Sequence, residues 1–450
     1  MPGHKRQAAG ILPEEIYKID ITEIDGFDDL HMPEGILRSL QEQAAEMYGA
    51  EESFYLVNGS TCGILSAVSA AIPYGGKLLM ARNCHKSAYH AAYLRGLQLR
   101  YLYPDTVEGF DVVEAITPQQ VLEALEAEKD IKAVLIVSPT YEGRIADIKG
   151  IAEVVHAKGL PLIVDEAHGA HFGLHPLVQE CSIRLGADIV IASVHKTLPG
   201  LTQTALLHVS GGRIDRNAVK RFLHIYQTSS PSYVLMAGID SALKYVRENG
   251  ESLYPVFYNH YRELLKELES CKNLRFLPMQ EGRQDIGKLV ISVKDTSMNG
   301  HELAEILHDK YHLQLEMATA TYGLAMFTLC DTEEGYQRMA QALKEIDKAI
   351  TSKQSGFKTT GPDYPDPDDA ISFAEAWDAP ARELPLAESA EMRAAEFINL
   401  YPPGVPLLVP GERITEDNIR TVDEWLKQGF AVRGVSRTGE GCKIRVLKQR

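Results

Sequence analysis

Between residues 78 and 209 the chain carries five short apolar runs: LLMA (78–81), AVLIVS (133–138), LIVDEA (162–167), IVIASV (189–194) and ALLHV (205–209). They are continuous and rich in β-branched residues rather than alternating. Such runs suit strands buried on both faces, as in a parallel sheet covered by helices. Amphipathic stretches at 118–129 and 147–158 lie between them and supply the covering helices. This alternation predicts an α/β domain built on a mostly parallel sheet.

The flanks read differently. Residues 1–40 carry Pro2, Gly3, Pro13, Gly26, Pro33 and Gly35 and read as an irregular N-terminal segment, with a helix predicted over 36–48. Residues 41–250 make the large domain, with 213–270 largely helical. Strands at 288–293 and 324–329 around a helix at 300–311 predict a smaller α+β domain over 251–354. The Pro-, Gly- and Asp-rich stretch 355–369 reads as a linker into a C-terminal domain ending at 450.

Asp and Glu outnumber Lys and Arg by 62 to 46, a formal charge of -16. That balance disfavours non-specific binding to nucleic acid and mildly favours a cationic small molecule. The six cysteines are widely spaced, with no C-x-x-C pair, so neither a disulfide framework nor a thiolate metal site is expected. Reduced thiols point to a cytoplasmic protein. The N-terminus shows no apolar signal region, and no run approaches the roughly 18 to 20 apolar residues of a membrane helix.

Four elements carry chemistry. Lys196 lies just past the run IVIAS. In open α/β sheets ligands bind beyond the carboxyl ends of strands. A partly desolvated lysine flanked by His195 can act as an amine nucleophile, although a lone lysine there is ordinarily a surface residue. Asp165 ends the run LIVD and can stabilise a protonated pyridine nitrogen, or simply cap a helix. Asn58-Gly59-Ser60-Thr61 opens an apolar helical stretch. It can cradle a phosphate on free N–H groups, with Ser193 and His195 adding contacts, or serve as plain capping. His85 offers a flat ring to stack on a cofactor, or merely a histidine at a helix start. Together these residues point to pyridoxal 5'-phosphate held as a Schiff base by Lys196, in a fold-type I site. His168, His171 and His175 invite a metal reading, but Gly169 and Gly173 argue against a regular helix and H-E-x-x-H is absent.

The same residues resemble the fold-type I ornithine/lysine/arginine decarboxylases of bacteria. The likeness is carried in order by PGHK (2–5), NGST (58–61), HKS (85–87), SPTYEG (138–143), DEAHGAHF (165–172), SVHKTLPGLTQTALLH (193–208) and YPPGVPLLVPGE (401–412). The resemblance implies an aspartate-aminotransferase-like large domain plus the smaller and C-terminal domains. It implies that Lys196 carries the cofactor, Asp165 faces the ring nitrogen and His85 stacks on the ring. Ser60, Thr61, Ser193 and His195 then lie at the phosphate, with Thr140 and His168 at the ring edge. Glu316 falls where the family keeps a substrate-recognition glutamate. Thr228 and Ser229 fall where a neighbouring subunit reaches the site, which implies a homodimer or higher homo-oligomer.

Relatives carry residues ahead of PGHK, so an N-terminal helix that bears on dimer packing is expected to be missing. The extra N-terminal domain of the large acid-induced members is expected to be missing too, so the chain resembles the shorter subgroup and no decamer is implied. The expected activity is decarboxylation of a basic amino acid, arginine first and lysine or ornithine next. Lys196 or His195 would reprotonate Cα. The alternatives are another fold-type I reaction, such as an aminotransferase or aldolase, and a non-catalytic regulatory relative.

Overall fold

The computed structural model describes residues 2–7, 12–352, 371–401, 404–438 and 441–448. The expected linker at 355–369 lies outside the described residues, as do Pro402 and Pro403 of the YPPG stretch. Two helices, Glu14–Ile19 and Ile36–Tyr48, precede the first strand. The second coincides with the helix predicted there.

Nine strands follow: β1 Glu52–Leu56, β2 Lys77–Ala81, β3 Gln98–Leu102, β4 Thr106–Val107, β5 Val112–Val113, β6 Ile131–Val137, β7 Leu162–Asp165, β8 Ile189–Ala192 and β9 Ala205–Val209. Seven form one sheet in the order β1-β9-β8-β7-β6-β2-β3, and β4 and β5 make a separate hairpin. Strands β3, β2, β6, β7 and β8 are mutually parallel, while β9 runs antiparallel to both β8 and β1. All five apolar runs are strands of this sheet. Its two edges, β1 and β3, carry polar residues along their length, which hid them from a search for apolar runs.

The interior strands explain the sheet's stability. Leu162, Ile163, Val164, Ile189, Val190 and Ile191 are completely buried. Each such side chain contributes about 1.5–3 kcal/mol through its removal from water. The helices Gly59–Ala71, Pro118–Ala127 and Ile148–Ala157 cover the sheet. Gly63 lets the first of these approach closely, because a Cβ there would stand 2.7 Å from Leu56 Cδ1 and 2.9 Å from Ile191 Cγ2.

A helix of 36 residues, Tyr233–Leu268, runs unbroken through residue 250, where the sequence suggested a domain boundary. It leads to a second, antiparallel sheet of β10 Arg275–Phe276, β11 Lys288–Ser292, β12 Met317–Ala318 and β13 Tyr322–Met326, in the order β10-β11-β13-β12. Helices Gly300–Tyr311 and Glu333–Ala349 accompany it. The strand expected at 324–329 begins two residues earlier, at Tyr322, and ends at Met326. The C-terminal segment has its own small core around Ile398, Leu408, Ile414, Val422, Ile444 and Val446. Arg82 anchors this segment from the end of β2. It is completely buried, donates to the carbonyls of Pro406 (2.8 Å) and Leu407 (3.2 Å), and pairs with Glu412 at 2.9 Å. Among the described residues no helix is long and apolar enough to cross a membrane.

Candidate active site

The carboxyl ends of β6, β7 and β8 open onto a cleft of about 530 Å³. Its floor comes from the large sheet: Ser60 and Thr61, His85, Asp165, His168, Ser193, His195 and Lys196 all line it. Its opposite wall holds Tyr141, Glu142, Glu316, Tyr322, Tyr401 and Trp425. Another depression, of about 610 Å³, lies between residues 30–34 and β1, on other residues than those of the Lys196 cleft.

Strand β8 ends at Ala192, and the chain turns at once into the short helix Val194–Thr197. That turn lifts Lys196 over the sheet end. Its amine lies 3.0 Å from His168 Nε2. Burial lowers the Lys196 pKa, opposed by the Asp165 and Glu316 carboxylates. His195 donates its Nδ1–H to the Thr204 carbonyl at 2.8 Å, which leaves Nε2 as the free ring nitrogen. Burial lowers its pKa too.

Asp165 is the last residue of β7 and accepts the Ala167 N–H at 3.1 Å. No regular helix follows, so capping is not its role. Burial pushes its carboxyl up, and Lys196 partly offsets this. His85 caps helix Lys86–Leu94, its Nδ1 accepting the Ser87 N–H at 3.2 Å. This histidine therefore caps a helix and also lines the cleft. Burial pulls its pKa down to about 4, so the ring is neutral.

The remaining sequence-derived residues fall unevenly. Ser60 Oγ lies 2.5 Å from Ser193 Oγ, which joins the start of helix Gly59–Ala71 to the lysine turn. Thr140 is buried behind the cleft, its hydroxyl accepting the Arg144 N–H at 3.2 Å, and does not line it. Thr228 and Ser229 are exposed and also do not line it. Glu316 does, and it accepts a 2.5 Å hydrogen bond from the Tyr141 hydroxyl. His168, His171 and His175 diverge. His168 faces Lys196, His171 pairs with Asp285 at 3.0 Å, and His175 stacks on Tyr254.

Sequence reasoning missed Asn83, Tyr141, Lys288, Tyr401 and Trp425. Tyr141 and Tyr401 carried a signal as members of the SPTYEG and YPPGVPLLVPGE stretches, and Asn83 as a neighbour of HKS.

Three features fit a pyridoxal phosphate. The first turn of helix Gly59–Ala71 receives no side-chain cap from Asn58, so its N–H groups are open to a phosphate. Asp165 is buried yet makes no ion pair among the described residues, which suits a pyridinium nitrogen. Asn83 Oδ1 is buried on the cleft wall without a partner.

Comparison with known proteins agrees. Solved structures that match include the constitutive lysine decarboxylase of Escherichia coli, with a TM-score of 0.80, 20% identity, and coverage of 100% of this chain and 79% of that one. The lysine decarboxylase of Francisella novicida gives a TM-score of 0.82 at 17% identity, covering 100% and 78%. Fold and site together define a fold-type I pyridoxal-phosphate enzyme. The family described as Orn/Lys/Arg decarboxylase matches through its major domain over residues 4–317 and its C-terminal domain over 364–430. The arginine decarboxylase of Bacillus subtilis is 33% identical over 100% of this chain and 94% of its own. That of Halalkalibacterium halodurans is 32% identical, over 96% and 91%. The chain belongs to the Orn/Lys/Arg decarboxylase family and is a pyridoxal-phosphate-dependent decarboxylase of basic amino acids.

Proposed function

We propose that the protein decarboxylates arginine in preference to lysine and ornithine, releasing CO2 and agmatine. The observation that carries this reading is Glu316, a carboxylate fixed by Tyr141 on the wall facing Lys196. A fixed carboxylate recognises a guanidinium by paired, charge-assisted hydrogen bonds. The two full-length relatives named arginine decarboxylase support arginine over the shorter diamino acids.

Pyridoxal phosphate, when bound, supplies an electron sink for breaking the bond between Cα and the substrate carboxylate. The chain supplies the rest. Lys196 would hold the cofactor covalently. Asp165 would hold a proton on the ring nitrogen. Ser60, Thr61, Ser193 and the first turn of helix Gly59–Ala71 would bind the phosphate, and His85 would offer its ring as a flat face. Lys196, or His195 after its Nε2 has taken up a proton from solvent, would return a proton to Cα. The wall formed by Tyr141, Tyr322, Tyr401 and Trp425 limits the access of water, which strengthens these interactions.

The same reading makes the protein a cytoplasmic homodimer. The Thr228 N–H donates to Asn58 Oδ1 at 3.2 Å, so the exposed loop bearing Thr228 and Ser229 stands beside the phosphate-binding turn, open to a second subunit. Its domains are taken as 1–40, 41–250, 251–354 and 355–450, with helix Tyr233–Leu268 running across the boundary at 250. The test is incubation of purified protein with arginine, lysine and ornithine separately, followed by identification of the amine. Agmatine should form fastest. Cadaverine or putrescine forming faster overturns the substrate assignment, and transamination products without amine overturn the reaction.

A further inference from the structure

Lys288 is a lysine where none is expected. It lies on β11 of the second sheet, it is 1% exposed, and it makes no ion pair among the described residues. Burying an ammonium is costly unless polar groups take over from water. Three groups surround the amine. His168 Nδ1 lies at 2.8 Å, Met326 Sδ at 2.9 Å, and the Tyr141 ring centre at 5.7 Å. The fold makes room for this side chain at Gly143, where a Cβ would stand 2.7 Å from Lys288 Cγ and where φ is +92°.

His168 thus sits between two amines, with Lys288 at Nδ1 and Lys196 at Nε2, 3.0 Å away. A neutral imidazole has one N–H and one lone pair. It cannot accept from two ammonium groups, so one of the two lysines must be a neutral amine that accepts from the ring. The surroundings decide which. The thioether and the aromatic face beside Lys288 offer electron density and no proton, so Lys288 is placed to donate. Burial lowers its pKa to about 8, with Lys196 adding to this and the carboxylates of Asp285, Glu316 and Glu142 opposing it, so its charged form still predominates at neutral pH. Lys196 faces Asp165 and Glu316, and burial outweighs them. Burial and the two lysines hold His168 neutral.

We propose that Lys288 is a positioning residue. Its ammonium donates to His168 Nδ1, fixes the proton of His168 on Nε2, and so presents an N–H to the lone pair of Lys196, which keeps that lysine a nucleophilic amine. The inference rests on Lys196 being the reacting lysine of the proposed site.

The test uses the full-length chain freed of cofactor with hydroxylamine. Trace labelling with acetic anhydride across pH, with peptide mapping, reads the reactivity of each lysine. In the wild type Lys196 should titrate below the ordinary lysines. Lys288→Met keeps the length and removes the donor, and should raise the Lys196 midpoint by about one unit, making it about tenfold less reactive below that midpoint. Lys288→Arg keeps a donor and should stay close to wild type. Identical Lys196 titration in the wild type and Lys288→Met overturns the role of Lys288 and leaves the site assignment intact. A lowered, fast-reacting lysine that maps to neither Lys196 nor Lys288 overturns both. Should Lys288→Met fail to fold, 15N NMR of histidine-labelled wild type, with the His168 signal assigned by its loss in His168→Gln, decides alone. An unprotonated Nδ1 and protonated Nε2 support the inference, and a protonated Nδ1 overturns it.

Discussion

The two walls of the cleft are built by different means. The floor is made where strands of one direction end: Asp165 closes β7, Lys196 lies just past β8, and the turn that opens helix Gly59–Ala71 follows β1. Parallel strands bring their carboxyl ends to one edge whatever their side chains, so the floor is a consequence of topology. The opposite wall collects Tyr141, Glu316, Tyr401 and Trp425 from stretches that share no sheet edge. Its geometry depends on how the second sheet and the C-terminal segment seat against the first. On the proposed reading the floor carries the chemistry, and the opposite wall selects the amino acid.

This difference also explains what the sequence disclosed. Asp165 and Lys196 stood out because one ends an apolar run and the other lies just past one, and a run of buried residues is visible without knowledge of its partners. Lys288 also lies in an apolar run, KLVIS, but it stands at the start of that strand. Only the pairing of Lys288 with Met326 across β11 and β13, and the approach of His168 from the other sheet, give it a role. Tyr401 and Trp425 gain theirs from the folding of the C-terminal segment against β2. Thr140, assigned to the ring edge by resemblance, is buried one residue away from the side chain that does face the cleft, Tyr141.

The largest expected effect is on the floor. Lys196→Ala should lower kcat by at least the roughly 10²–10⁴-fold that a positioned acid–base group contributes. Borohydride should also no longer fix cofactor to the peptide around residue 196. Retained fixation, located by peptide mapping, would move the nucleophile elsewhere.

Next is the tie between floor and C-terminal segment. Arg82→Met leaves Glu412 buried without its cation. Breaking one side of a buried pair costs about 3–5 kcal/mol. Urea denaturation should show a loss of that size, with partial recovery in the Arg82→Met/Glu412→Gln pair. If instead only the C-terminal segment loosens, the cofactor absorbance will survive while kcat/KM falls, which would show that the two walls separate energetically.

Glu316→Gln probes the opposite wall alone. Truncating one partner of a desolvated charge pair costs about 2–5 kcal/mol, so kcat/KM for arginine should fall by roughly 30-fold or more. Cofactor loading, read by its absorbance, should be unchanged. Near-normal kinetics with arginine, lysine and ornithine would make Glu316 a bystander held by Tyr141.

The smallest effect lies outside the cleft and tests how far the floor's burial extends under the sheet. His208, on β9, is completely buried. It shares a 2.7 Å hydrogen bond with Ser53 and lies against the Tyr48 ring, with centres 4.4 Å apart. Burial pulls its pKa down to about 3, so the folded chain keeps the ring neutral while the unfolded chain protonates it near its ordinary 6.5. Between these values the unfolded state binds more protons, and His208 makes stability rise with pH. Its contribution is complete above pH 6.5 and is lost as pH falls toward 3. Other buried groups titrate in the same range, so the measurement has to be a difference. His208→Asn removes the ring and leaves the rest in place. From pH 7.5 to 5.5 the wild type should lose about 1.4 kcal/mol relative to His208→Asn, as one extra proton is taken up on unfolding below pH 6.5. Urea denaturation of both proteins at the two pH values reads the difference. A constant gap would mean that the ring takes up its proton while still folded, and that the interface between β1 and β9 is open to water.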